Sequence, residues 1–317
     1  MMTRMDRNAP RPLPIPALAA ALTLLAAGAA CALGPAPRPA PEGAESTAAP
    51  ATSPAPAAQT PATPAPAAPA PAAPDGEGDP AAWTRLLPRP ELPADRPLAA
   101  GFLLVDGVYD TELVAPLDVL HHVRFHVEGL GIEVFTVSPD GEPVTTFEGL
   151  RIAADHSFAS APPIDVLVVP SAEGSMDRDL EDAALIDWVR RTGAAARWVV
   201  SLCDGSFVLA RAGLLDGLAA TTFPADYDRF AQLFPAVDLR VNVSFVHDGP
   251  AMTSQGGARS FDVAMYLVDH LYGEEVAQGV GRGLLLPWPP DPDRSPGFVV
   301  VPRPQTDPDA PPVLDGQ

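Results

Sequence analysis

Lysine is missing from this sequence: all 20 basic side chains among its 317 residues are arginine. Without lysine there is no Schiff-base nucleophile, no pyridoxal-phosphate anchor and no phosphate-loop lysine. Basic charge is scarce altogether, with 40 acidic residues against 20 arginines and a formal net charge of −20. A chain with that balance lacks the concentrated positive face that phosphate backbones require, so nucleic acid is not an expected partner. The acidic surplus reads as surface solubility. Cysteine is nearly missing too, with only Cys31 and Cys203.

Proline is not scarce, and its distribution divides the chain. Residues 1–31 carry Arg4, Arg7 and Arg11, then the apolar run PALAAALTLLAAGAA, then Cys31. That is the layout of a secretory signal, and the run is too short for a membrane span. Small residues before Cys31 also resemble a bacterial lipoprotein signal, with Cys31 as the lipidated residue. Gly28 stands where that pattern prefers leucine, so cleavage without lipidation is the other outcome. Either way the protein is expected outside the cytoplasm, touching a membrane only through a lipid on Cys31. Residues 32–96 are mostly a Pro/Ala tract, an extended spacer of about 3 Å per residue with little to bury. Residues 97–288 have the Val, Leu and Ile content of one core-forming domain, and residues 289–317 read as a Pro-rich tail.

Within the domain, apolar strands alternate with helical patterns. Strands are expected at 97–105, 132–138, 164–169 and 198–202, and helices at 112–127, 180–192, 206–212 and 260–272. A hairpin is expected around Glu148-Gly149, and three short strand-like runs between 236 and 257. The alternation predicts a single α/β domain, a doubly wound parallel sheet sandwiched by helices. Ligands of such sheets bind beyond the carboxyl ends of the strands. Glu112, the loop Ser171–Ser175 and Cys203 all fall at those ends.

The last of these is the centre of interest. In VVSLCDGSFVLARAGLLDG an apolar strand runs into Cys203-Asp204-Gly205 and then a helix. A lone cysteine is commonly a small buried apolar group. On a strand-to-helix elbow it is instead lifted to the top of the sheet, where the helix end is expected to favour the thiolate. Glu112 opens a helix on the same edge of the sheet and is the candidate proton shuttle, protonated while the thiolate is held by the helix end. Among the histidines, His122 and His126 have i, i+4 spacing but no third ligand, so no metal is expected. His156, His247 and His270 read as structural.

TELVAPLDVL from Thr111, IDVLVVPSAEGS from Ile164, SLCDGSFVLARAGLLDGLAATTFP from Ser201 and MTSQGGARSFDVAMYLVDHLYG from Met252 together resemble the DJ-1/PfpI family, of the class I glutamine-amidotransferase-like fold. The likeness covers about residues 99–273 and leans towards the isonitrile-hydratase and regulator-sensor branch. It implies a flavodoxin-like sandwich, often dimeric, in which Cys203 matches the elbow cysteine and Glu112 its acidic partner. Phe223 follows Thr221-Thr222 where members with a triad-like histidine carry that histidine, which disfavours peptidase or Cys-His hydrolase chemistry. Ser171-Ala172 replaces a glycine pair, although backbone N–H groups there could still form an oxyanion site. The implied function is a cofactor-free, cysteine-dependent hydratase or lyase acting on a small electrophile. Asp204, Ser171, Ala172, Gly174 and Phe223 would line its pocket. The alternative is a non-catalytic module that senses a small ligand or oxidation through the same cysteine.

Overall fold

The computed structural model describes residues 87–291 and 295–302. The expected leader with Cys31 and most of the Pro/Ala tract lie outside the described residues. In chain order the elements are β1 (Leu98–Leu103), α1 (Asp110–His122), β2 (Ile132–Ser138), β3 (Val144–Thr145), β4 (Arg151–Ile152), β5 (His156–Ser157), β6 (Val166–Val169), α2 (Arg178–Glu181), α3 (Ala183–Ala195) and β7 (Trp198–Leu202). They continue with α4 (Gly205–Arg211), β8 (Ala219–Ala220), α5 (Tyr227–Leu233), β9 (Asp238–Leu239), β10 (Phe245–Asp248), β11 (Ala251–Ser254), α6 (Ser260–Tyr272), α7 (Glu274–Leu284) and β12 (Val299–Val301).

Eight strands form the main sheet in the order β12-β10-β11-β7-β6-β1-β2-β5. Six of them, β11 to β5, run parallel, and the central three, β1, β6 and β7, are the near-continuous apolar runs that buried parallel strands show. The doubly wound parallel sheet is as expected over these strands and is mixed only at one edge, where the β10–β11 hairpin reverses β10 and, with it, β12. Helices α1, α6 and α7 pack together, and α2, α3 and α4 form a second group. Phe102, Leu167, Leu202, Phe207, Phe230, Phe245 and Tyr266 are almost fully enclosed. Burying side chains of this size gives about 1.5–3 kcal/mol each, enough to fix the register of strands whose neighbours are equally apolar.

Three expectations need correction. The single helix foreseen at 180–192 is two, because Asp182 caps α3, accepting from the N–H groups of Ala184 (2.9 Å) and Leu185 (3.0 Å). The tail from 289 contains β12, which pairs with β10 and extends the folded part beyond 288. The end of the spacer, residues 87–96, is tied to the domain: Arg96 makes a bidentate pair with Asp165 (2.5 and 2.8 Å), and the Glu91 carbonyl accepts from Arg197.

Candidate active site at the Cys203 elbow

Because β6, β1 and β7 are parallel neighbours, their carboxyl ends deliver Ser171, the start of α1 and Cys203 to one edge of the sheet. Cys203 sits between β7 and α4 with φ +51°, in the left-handed region that costs a non-glycine residue roughly 1–2 kcal/mol. Close backbone approach holds it there. Its N–H donates to the Ser254 carbonyl of β11 (2.9 Å), and Gly205 lies so near Val169 that a Cβ would overlap the Val169 carbonyl oxygen. Gly256 (φ +78°) is pressed against both Cys203 and Glu112, and a Cβ there would lie 2.6 Å from Glu112 Oε1.

Glu112 is buried in the first turn of α1. Ser171 N–H donates to its Oε2 (3.1 Å) and Gly257 N–H to its Oε1 (3.2 Å), and the Cys203 thiol lies close enough to act on its titration. Burial pushes the carboxyl above its ordinary range, while the Gly257 and Ser171 bonds and the Cys203 thiol pull it back. Two N–H donors, one on each oxygen, suit the carboxylate, whereas the sequence suggested a protonated Glu112. The thiol also departs from expectation. Burial, then the neighbouring Glu112 and Asp204 charges, drive its pKa up, and the Asp204 backbone N–H offsets only part of this. At rest the sulfur is a thiol, with one S–H to give to the two carboxyls beside it, and not a thiolate held by the helix end.

Asp204 follows directly. Its Oδ2 is 3.6 Å from Cys203 Sγ and its Oδ1 accepts from the Thr222 hydroxyl (3.0 Å), which also reaches the Cys203 carbonyl (3.3 Å). The other expected lining residues divide. Ser171 touches Glu112 through its backbone, but the Ser171 and Ala172 N–H groups are engaged, the latter by Ser175 Oγ (2.8 Å), so they form no oxyanion site. Gly174 faces Arg178 and Asp179 instead of the sulfur. Phe223 is an exposed side chain one residue past Thr222. Two contributors escaped sequence reasoning. Tyr109, just before α1, has its phenol pushed up by burial and by Cys203, Glu112 and Asp204, and its ring lies 4.7 Å from that of Phe147. Thr222 is the other; only its place in a Thr pair after the elbow helix marked it.

A model of the DJ-1/PfpI family matches residues 99–270, more than half of the chain. The chain belongs to the DJ-1/PfpI family. It is 36% identical over 208 residues to an isonitrile hydratase of Pseudomonas putida, covering 64% of this chain and 87% of that one. It is 30% identical over 186 residues to the HTH-type transcriptional regulator CdhR of Pseudomonas aeruginosa, covering 58% of this chain and 54%, about half, of the regulator. The crystal structure of Drosophila melanogaster DJ-1beta superposes with a TM-score of 0.53 at 25% identity, covering 61% of this chain and all of that one. A ThiJ/PfpI family protein from Pseudomonas syringae gives 0.54 at 26%, covering 64% and 83%. These likenesses bear out the flavodoxin-like fold and the hydratase and regulator branch. Among the described residues, no group of three or more His, Cys, Asp or Glu side chains could hold a metal ion.

Proposed function

We propose that this DJ-1/PfpI member is a cysteine-dependent hydratase of small electrophiles, with an isonitrile as the first substrate to test. The observation that carries the reading is the pairing of a strained, elbow-mounted Cys203 with a Glu112 carboxylate fixed by two backbone N–H groups. As Sγ bonds to the electrophilic carbon, the thiol proton passes to Glu112, so the thiolate need never stand free in a buried, acidic setting. The carbon takes up a proton from the site's acid to become a thioimidate, water adds and gives one proton back while the nitrogen is protonated, and collapse to the formamide breaks the C–S bond and returns the hydroxyl proton to sulfur. An isonitrile plus water becomes an N-substituted formamide. The Pseudomonas putida relative supports this choice of substrate.

Turnover of an alkyl isonitrile, followed by formamide mass, is expected in the wild type and lost in Cys203→Ala. Glu112→Gln should lower kcat by about 10²-fold or more. Turnover by Cys203→Ala at the wild-type rate would sink the reading. The regulator relatives favour a second reading, a ligand- or oxidation-sensing module. Against the oxidation branch stands the raised thiol pKa, since peroxide attacks thiolate. Stoichiometric oxidation of Cys203 at low peroxide with no turnover would favour the sensor.

A further inference from the structure

Glu112 is not the only carboxyl on the sulfur. Asp204 is also buried, with Oδ2 facing Sγ and Oδ1 facing the Thr222 hydroxyl. The two carboxyls differ in what holds them. Glu112 takes a backbone N–H on each oxygen, and such a pair is best met by an acceptor-only anion. Asp204 faces a thiol and a hydroxyl, each able to accept as well as donate, so its acid form finds partners as readily as its anion.

We propose that Asp204 is a catalytic residue of this site, a second proton carrier on Cys203 Sγ that works alongside Glu112. Exchange with the sulfur follows from the geometry; delivery to substrate rests on the hydratase reading. In that reaction the S–C bond forms as the thiol proton passes to Glu112, and the Asp204 acid protonates the isonitrile carbon, giving a thioimidate. Water then bonds to that carbon, losing its proton to Asp204 while Glu112 protonates the nitrogen. Collapse forms the formamide C=O, breaks the C–S bond and returns the hydroxyl proton, by way of Glu112, to sulfur. Every proton taken is returned.

The surroundings of Asp204 suit a group that changes state near neutrality. Cys203 and Thr222 contact it, and Glu112 and Tyr109 face it from α1 and the residue before it. Asp226 and Arg229 face it from the turn before α5 and from α5. Burial, then Asp226, lift its pKa to about 6 against the opposing Thr222, Cys203 and Arg229. Arg229 is itself engaged by Asp177 (2.7 Å) and the Met176 carbonyl (2.8 Å).

The test is the pH profile of Cys203 alkylation by iodoacetamide, read on the Cys203 peptide by mass, for the full chain, Asp204→Asn and Thr222→Val, alongside isonitrile turnover. The wild type should show an inflection near pH 6 that Asp204→Asn loses. The variant should alkylate at least about tenfold faster at pH 7, since each unit by which a neighbouring charge raises a thiol pKa is tenfold in thiolate. Thr222→Val keeps the carboxyl and should move the inflection upward. Turnover should fall about 10²-fold in Asp204→Asn. An alkylation profile of Asp204→Asn superimposable on the wild type overturns the proposal, as does wild-type turnover by that variant. If the wild type hydrates no isonitrile, the hydratase reading and the delivery step fail together, and the alkylation profile alone decides the exchange with sulfur.

Discussion

At the elbow, two adjacent glycines separate backbone strain from crowding. Gly256 and Gly257 both have positive φ, at +78° and +52°, but a Cβ on Gly256 would strike Cys203 and Glu112, whereas one on Gly257 would meet nothing within 4 Å. Gly257→Ala should therefore cost only the left-handed penalty of about 1 kcal/mol and leave turnover close to wild type. Gly256→Ala should cost about 1–3 kcal/mol and reduce kcat tenfold or more, because a displaced nucleophile loses its attack geometry. Urea unfolding and turnover of both variants check this; equal effects would show that Gly256 does not hold the pair. Cys203 and Glu112 were legible in the sequence because strand ends announce themselves by apolar runs meeting polar turns. The roles of Tyr109, Thr222 and Asp204 were not. Thr222 reaches Asp204 across 18 residues, and whether a carboxylate lowers or raises a thiol depends on burial that spacing does not encode.

Among the elements, β2, β7 and α6 coincide residue for residue with the predicted spans, since each is a long, strongly patterned apolar segment. Five elements were missed, the short β5, β8 and α5 together with α7 and β12, and the last two were hidden for different reasons. In α7, EEVAQGVGRGL carries three glycines that disguise the stripe of Val276, Ala277 and Val280, and packing against α6 and α1 overrides their poor helix propensity. In β12, three valines sit between Pro-rich flanks, and a three-residue strand is stable only because β10 offers a free edge. Phe298 anchors that strand by stacking on Phe245, with ring centroids 4.3 Å apart and 17° between planes. Phe298→Ala should destabilise the protein by about 1–3 kcal/mol, less than a fully enclosed phenylalanine because the ring is half-buried. Thermal melting checks it; an unchanged midpoint would mean that β12 adds nothing to the fold.

Over the whole molecule, pH acts through two buried populations with opposite signs. His247 is enclosed, with Nδ1 against the Tyr266 hydroxyl (2.8 Å) and Nε2 against the Gly249 carbonyl (3.1 Å), and the His270 ring meets it edge-on with centroids 5.1 Å apart. Burial first, then for His247 the proximity of His270, lowers both to about 4. A histidine with an unfolded pKa near 6.5 and a folded value near 4 gives its full stabilisation above about pH 6.5. It loses that stabilisation as pH falls through this window, because the unfolded chain then binds the extra proton. Glu112, Asp179, Asp204 and Asp269 are raised by burial, so as pH falls the folded state takes up their protons before the unfolded chain does and stability gains, for Asp204 from about pH 6 downward. A raw acid titration therefore mixes both terms. The difference between wild type and His247→Phe isolates one of them, since the carboxyls are common to both. Relative to the variant, the wild type should lose about 3 kcal/mol between pH 7 and 4, at about 1.36 kcal/mol per unit per proton. Urea unfolding of both proteins at each pH measures that difference, and a pH-independent gap between them would show that His247 takes up its proton in the folded state.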